Sequence, residues 1–218
     1  MERATERERE GVRLHVGGLT RQLNEVTDMT TTLIIPGHGG SGAGHWQTWL
    51  ESKLPATARA TVPSASEQDL SAWAAALRWG IEQLGEDLWI VAHGFGCLAA
   101  VQAAADYSER VAGALLVAPY DPAHLQLSHL LPETPLSFPS ILVASSNDPH
   151  MRLDKAAFWA AFWNSDFVSI GAAGGIDPEA GFGPWPQGLE IFERLKSSPV
   201  AHTFPHGGAP VSRNALAV

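Results

Sequence analysis

From Thr32 to Lys196, short apolar runs alternate with longer amphipathic stretches. The runs fall at about 32–35, 58–62, 88–92, 113–117, 140–145 and 166–170. Most are rich in Val, Ile and Leu, the pattern of strands covered on both faces. Between them the spacing turns helical, and helices are predicted at about 44–53, 69–84, 96–106, 154–164 and 187–196. The second of these places Leu70, Trp73, Leu77, Ile81 and Leu84 on one stripe, with Ser66 and Asp69 suited to capping its start. Strands separated by helices predict an α/β fold. It is a three-layer sandwich with a mostly parallel sheet and helices on both faces. Ligands of such sheets bind beyond the carboxyl ends of the strands, so the segments that follow each strand are where chemistry is sought.

The ends of the chain differ from this middle. Met1 to Glu10 alternates Glu and Arg with almost nothing apolar and lacks the apolar core of a signal peptide. Residues 1–28 are expected to be a disordered extension, with Met29 as the natural start because it directly precedes the β-branched stretch Thr30-Thr31-Thr32-Leu33-Ile34-Ile35. Residues 29–197 read as one domain, and residues 198–218, rich in Pro, Gly and Ser, as a flexible tail.

Composition narrows the function. A net charge of −9 disfavours nucleic acid and anionic membrane surfaces, which select Lys and Arg. The single cysteine, Cys97, excludes an internal disulfide and suits a reducing, cytoplasmic setting. Leu88 to Ala105 carries no formal charge, but His93, Gly94, Gly96 and Gln102 interrupt it. It reads as strand, tight turn and helix rather than as a membrane span.

That turn is the most informative local feature. After the strand comes Ala92-His93-Gly94-Phe95-Gly96 and then an Ala-rich helix. A small-x-nucleophile-x-Gly turn between strand and helix is the nucleophile elbow of α/β-hydrolases, yet its centre here is Gly94. A Gly-x-Gly turn after a strand also suits phosphate binding. The acidic residue expected about 20 positions on is only loosely supplied by Asp106 or Glu109, which argues against a dinucleotide cofactor. No cofactor is expected.

Four stretches together resemble the retinoblastoma-binding-protein-9 / YdeN family of small serine hydrolases, over about Thr31 to Lys196. They are Pro36-Gly37-His38-Gly39-Gly40-Ser41-Gly42-Ala43-Gly44-His45-Trp46-Gln47; Val91 to Ala99; Ala144-Ser145-Ser146-Asn147-Asp148-Pro149; and Gly171 to Ile176, continuing through Gly181-Phe182-Gly183-Pro184-Trp185-Pro186. The resemblance implies a triad in the order Ser, Asp, His. This chain carries Gly94, Asp148 and Gly175 at those positions, and Asp177, Pro178 and Ala180 depart from the pattern that follows the His. Glycine has no oxygen to attack a carbonyl and no imidazole to move a proton, so acyl-enzyme chemistry of the family type is absent. Loss of either group alone costs about 10⁶ in rate in one well-measured serine hydrolase.

The resemblance also implies an oxyanion hole of backbone N–H groups, from Phe95 and from the loop near His38 and Gly39. With Trp46 and Trp185 flanking the same loops, these five residues are the expected ligand-binding set. Cys97 and His93 read as structural. His202 and His206 lie in the tail. His38, His93, His150 and Asp148 all follow strand ends, but they read as separate loop residues, so no metal is expected. Tyr120 to Pro139, with Leu125, Leu127, Leu130 and Leu131, reads as a lid. The expected function is a pseudo-hydrolase holding a small ligand with a carbonyl or carboxylate. The alternatives are an enzyme using Asp148 with a His or a metal, and an interaction module with a vestigial pocket.

Overall fold

Seven strands form one sheet in the computed structural model, which describes residues 12–15, 31–63 and 69–198. In chain order they are β1 (Val12–His15), β2 (Thr32–Ile35), β3 (Thr57–Ala60), β4 (Leu88–His93), β5 (Val111–Val117), β6 (Ser140–Ala144) and β7 (Asp166–Ser169). The helices are α1 (Trp46–Glu51), α2 (Leu70–Leu84), α3 (Phe95–Ala104), α4 (Leu153–Trp163) and α5 (Pro186–Lys196). The strand order is β1-β3-β2-β4-β5-β6-β7, and every pairing from β3 to β7 is parallel. The α/β sandwich expected from the hydropathy pattern is therefore present.

Period-two alternation explains why the sheet is covered twice. Leu33, Ile35, Ile90, Ala92, Leu116 and Leu142 face a core shared with α2, α3 and α4. Their neighbours Ile34, Trp89, Val91, Leu115, Val117 and Ile141 face a second core closed by α1 and α5. With both faces buried, each central strand reads as a continuous apolar run. In α2 the predicted stripe is buried at Leu70, Trp73, Leu77 and Ile81. Its cap is Asp69, whose carboxylate accepts the Ala72 N–H at 3.0 Å, while Ser66 lies outside the described residues.

Two features differ from the sequence reading. Val12–His15, inside the stretch expected to be disordered, pairs antiparallel with β3, from Val12 opposite Ala60 to His15 opposite Thr57. An edge strand is built from backbone hydrogen bonds to its neighbour, which leave little trace in composition. The rest of 1–28 and residues 199–218 lie outside the described residues. Second, the segment after β5 is not a lid. Leu131, Leu136 and Phe138 are buried, and Leu125, Leu127 and Leu130 pack against the α2–α4 core. The Leu136 N–H also bonds the Trp163 carbonyl at 3.1 Å. Its leucines serve the core, and Tyr120 alone from this segment reaches the cavity described below. Among the described residues no helix is long and apolar enough to cross a membrane.

Candidate functional site

The order β3-β2-β4-β5 makes β2 and β4 the point where successive connections leave in opposite directions, and a crevice opens beyond their carboxyl ends. After β4 the chain turns abruptly at Gly94, with φ 55° and ψ −126°, and enters α3 at Phe95. The left-handed φ costs a side-chain-bearing residue about 1–3 kcal/mol, so glycine relaxes the turn. Gly96 has a different reason. A Cβ there would lie 2.3 Å from the Pro36 carbonyl oxygen and 2.9 Å from Ile35 Cγ2, so only glycine lets α3 pass this close to the end of β2.

The flanking loops are fixed by side chains. His45 caps α1, its Nδ1 accepting the Gln47 N–H at 3.1 Å. Gln47 Nε2 donates to the Ile35 and Val91 carbonyls at 2.9 and 3.2 Å, tying α1 to the ends of β2 and β4. Beyond β6, Ser145 Oγ accepts the Ala173 N–H, and Asn147 Oδ1 accepts both the Ser145 hydroxyl and the Gly174 N–H. These bonds hold the loop after β7 against the loop after β6. Gly94, Asp148 and Gly175, the three positions that the resemblance aligns with a triad, thereby line one cavity of about 300 Å³.

The side chains around this cavity have unusual electrostatics. Asp148 is pushed up to about 6, chiefly by burial and further by the nearby Asp177 charge, against the opposing N–H groups of His150 and Met151. His93 is buried and donates from Nε2 to the Gly175 carbonyl at 2.8 Å, and burial holds its pKa low. His45, 5.0 Å from His93 between ring centres, is lowered to about 3 by burial and then by that neighbouring ring. His150 stacks on Tyr120 with ring centres 4.0 Å apart. Burial lowers the His150 pKa and raises that of Tyr120.

The loop after β7 carries an arrangement invisible in the motif. Ile176 is fully buried at φ 52°, a strained position for a β-branched residue. It is held by its N–H to the Ala173 carbonyl and by Trp46 Nε1 donating to its own carbonyl at 2.9 Å. Beyond it, Asp177 lies back over Gly175. Its Oδ2 is 2.7 Å from where a Cβ on residue 175 would be, while its Oδ1 accepts the Ala180 N–H at 2.9 Å. A carboxylate thus occupies the start of the space that a side chain at 175 needs.

Of the expected ligand-binding set, His38 and Gly39 line the cavity. Phe95 is not among the residues that line it: its ring is buried against Trp73, while its N–H, the first of α3, has no acceptor within the helix. Trp46 and Trp185 do not line the cavity. They pack edge to face, 5.2 Å apart, and are 1% and 5% exposed in the core under α1 and α5. Two indoles beside a glycine-rich loop find more apolar contact under it than in a polar crevice. His38, His93, His150 and Asp148 do converge on the cavity rather than standing apart. Among the described residues, however, no three His, Cys, Asp or Glu side chains are placed to hold a metal ion. Cys97 is buried, donates weakly to the Val117 carbonyl and has its thiol pKa pushed up by burial. His202 and His206 lie outside the described residues. His45, Tyr120, Asp177 and Glu179 also line the site, and only their positions after strands hinted at it.

This architecture is that of an α/β-hydrolase, with the site at the elbow. The profile of the serine hydrolase family matches residues 32–194, and the chain belongs to that family. A YdeN-like hydrolase from Pectobacterium atrosepticum is similar at 35% identity, over 79% of this chain and 94% of that one, with a TM-score of 0.72. The ydeN gene product from B. subtilis shares 19% identity over 78% of this chain and all (100%) of that one, with a TM-score of 0.63. Est1E from Butyrivibrio proteoclasticus, solved with ferulic acid bound, shares 13% over 85% and 92%, with a TM-score of 0.62. The last two likenesses concern the fold alone. No curated protein matches the chain.

Proposed function

We propose that this chain is a pseudo-hydrolase, a serine-hydrolase-family protein that binds a small ligand without cleaving esters or amides. One observation carries the reading: Gly94 and Gly175 stand on the cavity wall at the positions where the family resemblance expects the nucleophile and the imidazole. Backbone donors survive such losses. The Phe95 N–H opens α3, and the turn in which the Gly40 N–H bonds the Gly37 carbonyl at 3.0 Å carries His38 and Gly39 on the cavity wall. They suit a carbonyl oxygen. A carboxylate suits the site less, because Asp148, Asp177 and Glu179 line the same space. The lone, buried Cys97 supports a cytoplasmic setting. A fluorophosphonate probe tests the proposal. No labelling is expected, and covalent labelling of the purified protein would overturn it.

A second reading rests on Asp148. A carboxyl with its pKa near 6 is tuned for proton transfer close to neutral pH. If Asp148 works as a base on water, a simple ester or lactone turns over and Asp148→Asn abolishes the turnover. The first reading expects no turnover in either protein.

A further inference from the structure

The cavity is lined by carboxylates from two separate loops. Asp148 comes from the turn after β6, and Asp177 and Glu179 from the turn after β7. No Lys or Arg is among the described residues that line it. Arg59, which influences His45, is spent elsewhere: its guanidinium bonds Glu51, the Ser41 carbonyl and Thr48 Oγ1. Of the four imidazoles on the wall, burial disfavours the charged form of three, His45, His93 and His150. His45 Nδ1 accepts a backbone N–H, so that ring is not an imidazolium. His93 is buried against the Gly175 carbonyl. Space is available because residues 94 and 175 project no side chain, and Tyr120 borders the elbow, its Cε1 3.3 Å from where a Cβ on residue 94 would sit.

We propose that this cavity binds a small organic cation, a protonated amine, with Asp148, Asp177 and Glu179 around the charge and the Tyr120 ring at its side. The chemistry of the wall selects it. An ammonium group brings hydrogen-bond donors to acceptor-only carboxylates, and a ligand carboxylate would add a fourth negative charge. Asp177 and Glu179 stand next to the strained Ile176, which turns the chain so that Asp177 lies over Gly175. The cavity volume of about 300 Å³ is at the small end of ligand pockets, which suits a compact amine.

The inference rests on the reading of the cavity as a retained binding site, and its test is separate from that of lost catalysis. Calorimetric titration at about 0.15 M salt, where long-range attraction is screened, would use three probes of matched length: 1,4-diaminobutane, 1,4-butanediol and succinate. The diamine is expected to bind at least about tenfold more tightly than the diol, and succinate not to bind. Asp177→Asn, which keeps an oxygen for the Ala180 N–H, and Glu179→Gln, at an exposed position, are each expected to weaken the diamine by about threefold to tenfold. Glu190→Gln, on the exposed face of α5, leaves it unchanged. Failure of the diamine to bind, equal binding of diol or succinate, or binding indifferent to both cavity variants would overturn the proposal. The last result would mean general attraction to a chain of net charge −9. None of these outcomes alters the fluorophosphonate result, so the two readings fail independently.

Discussion

Gly94→Ser places a hydroxyl at the centre of the elbow, and its effect follows from the backbone. At φ 55° and ψ −126° a side-chain-bearing residue is strained by about 1–3 kcal/mol. Replacing glycine also restricts the unfolded chain, which offsets about 0.4–1 kcal/mol of that strain. Steric crowding adds little, because the new Cβ meets a ring edge of Tyr120 at 3.3 Å and the Gly37 Cα at 3.7 Å. The net expectation is a loss of about 1 kcal/mol, a fall in Tm of about 2–4 °C for a domain of this size. Scanning calorimetry and urea unfolding measure it. The variant is also expected to stay unlabelled by fluorophosphonate, since Gly175 offers no imidazole to the new hydroxyl. Adding Gly175→His is expected to restore labelling only together with Asp177→Ala, because the Asp177 carboxylate stands 2.7 Å from the required Cβ. A melting temperature equal to or above that of the unsubstituted protein, or labelling of the single variant, would refute the account of the turn.

Other consequences follow from the same geometry. Gly96→Ala drives a methyl group to 2.3 Å from the Pro36 carbonyl oxygen, so α3 must lift off β2. A loss of about 3 kcal/mol or failure to fold is expected, and a Tm within about 2 °C of the parent would count against it. Asp148 titrates near 6 in the folded protein, above its ordinary 3.8, so the folded state binds that proton more tightly than the unfolded chain does. Ionisation of Asp148 therefore subtracts from stability as pH rises from about 4 through 6, by at most about 3 kcal/mol and by about 1–2 after solvent screening. Asp177, Tyr120, Cys97 and the His150 and Met151 N–H groups act on it, and Asp148→Asn keeps an acceptor for those N–H groups. The variant is expected to be more stable than the parent at about pH 7.5 and equal to it near pH 4, read as urea midpoints. Equal midpoints at both values would contradict the burial argument.

The framework was legible because its causes are local and repeated. Leu33 and Ile34 point to opposite cores, as do Leu115 and Leu116, so both-faced burial writes itself as unbroken apolar runs. The stripe of α2 from Leu70 to Ile81 reports its buried side in the same way. The turn at Gly94 was also visible, since a strand, a glycine-spaced turn and an alanine-rich helix are adjacent in the chain.

Contacts between distant segments were beyond such reading. Trp46 and Trp185 are 139 positions apart in numbering, and their choice of each other over the crevice is settled by packing. The leucines after β5 resembled a lid because an apolar segment does not state which surface it will cover. Asp177 looked like one departure from a motif, whereas the left-handed turn at Ile176 lays its carboxylate over Gly175 and beside the cavity shared with Asp148. The sequence by itself determined the layers, the positions of the six parallel strands and the glycines at 94 and 175, because periodicity and residue type are local quantities. Only the tertiary structure decided the charge and shape of the cavity, since both are set by loops that meet at the ends of strands far apart in the chain.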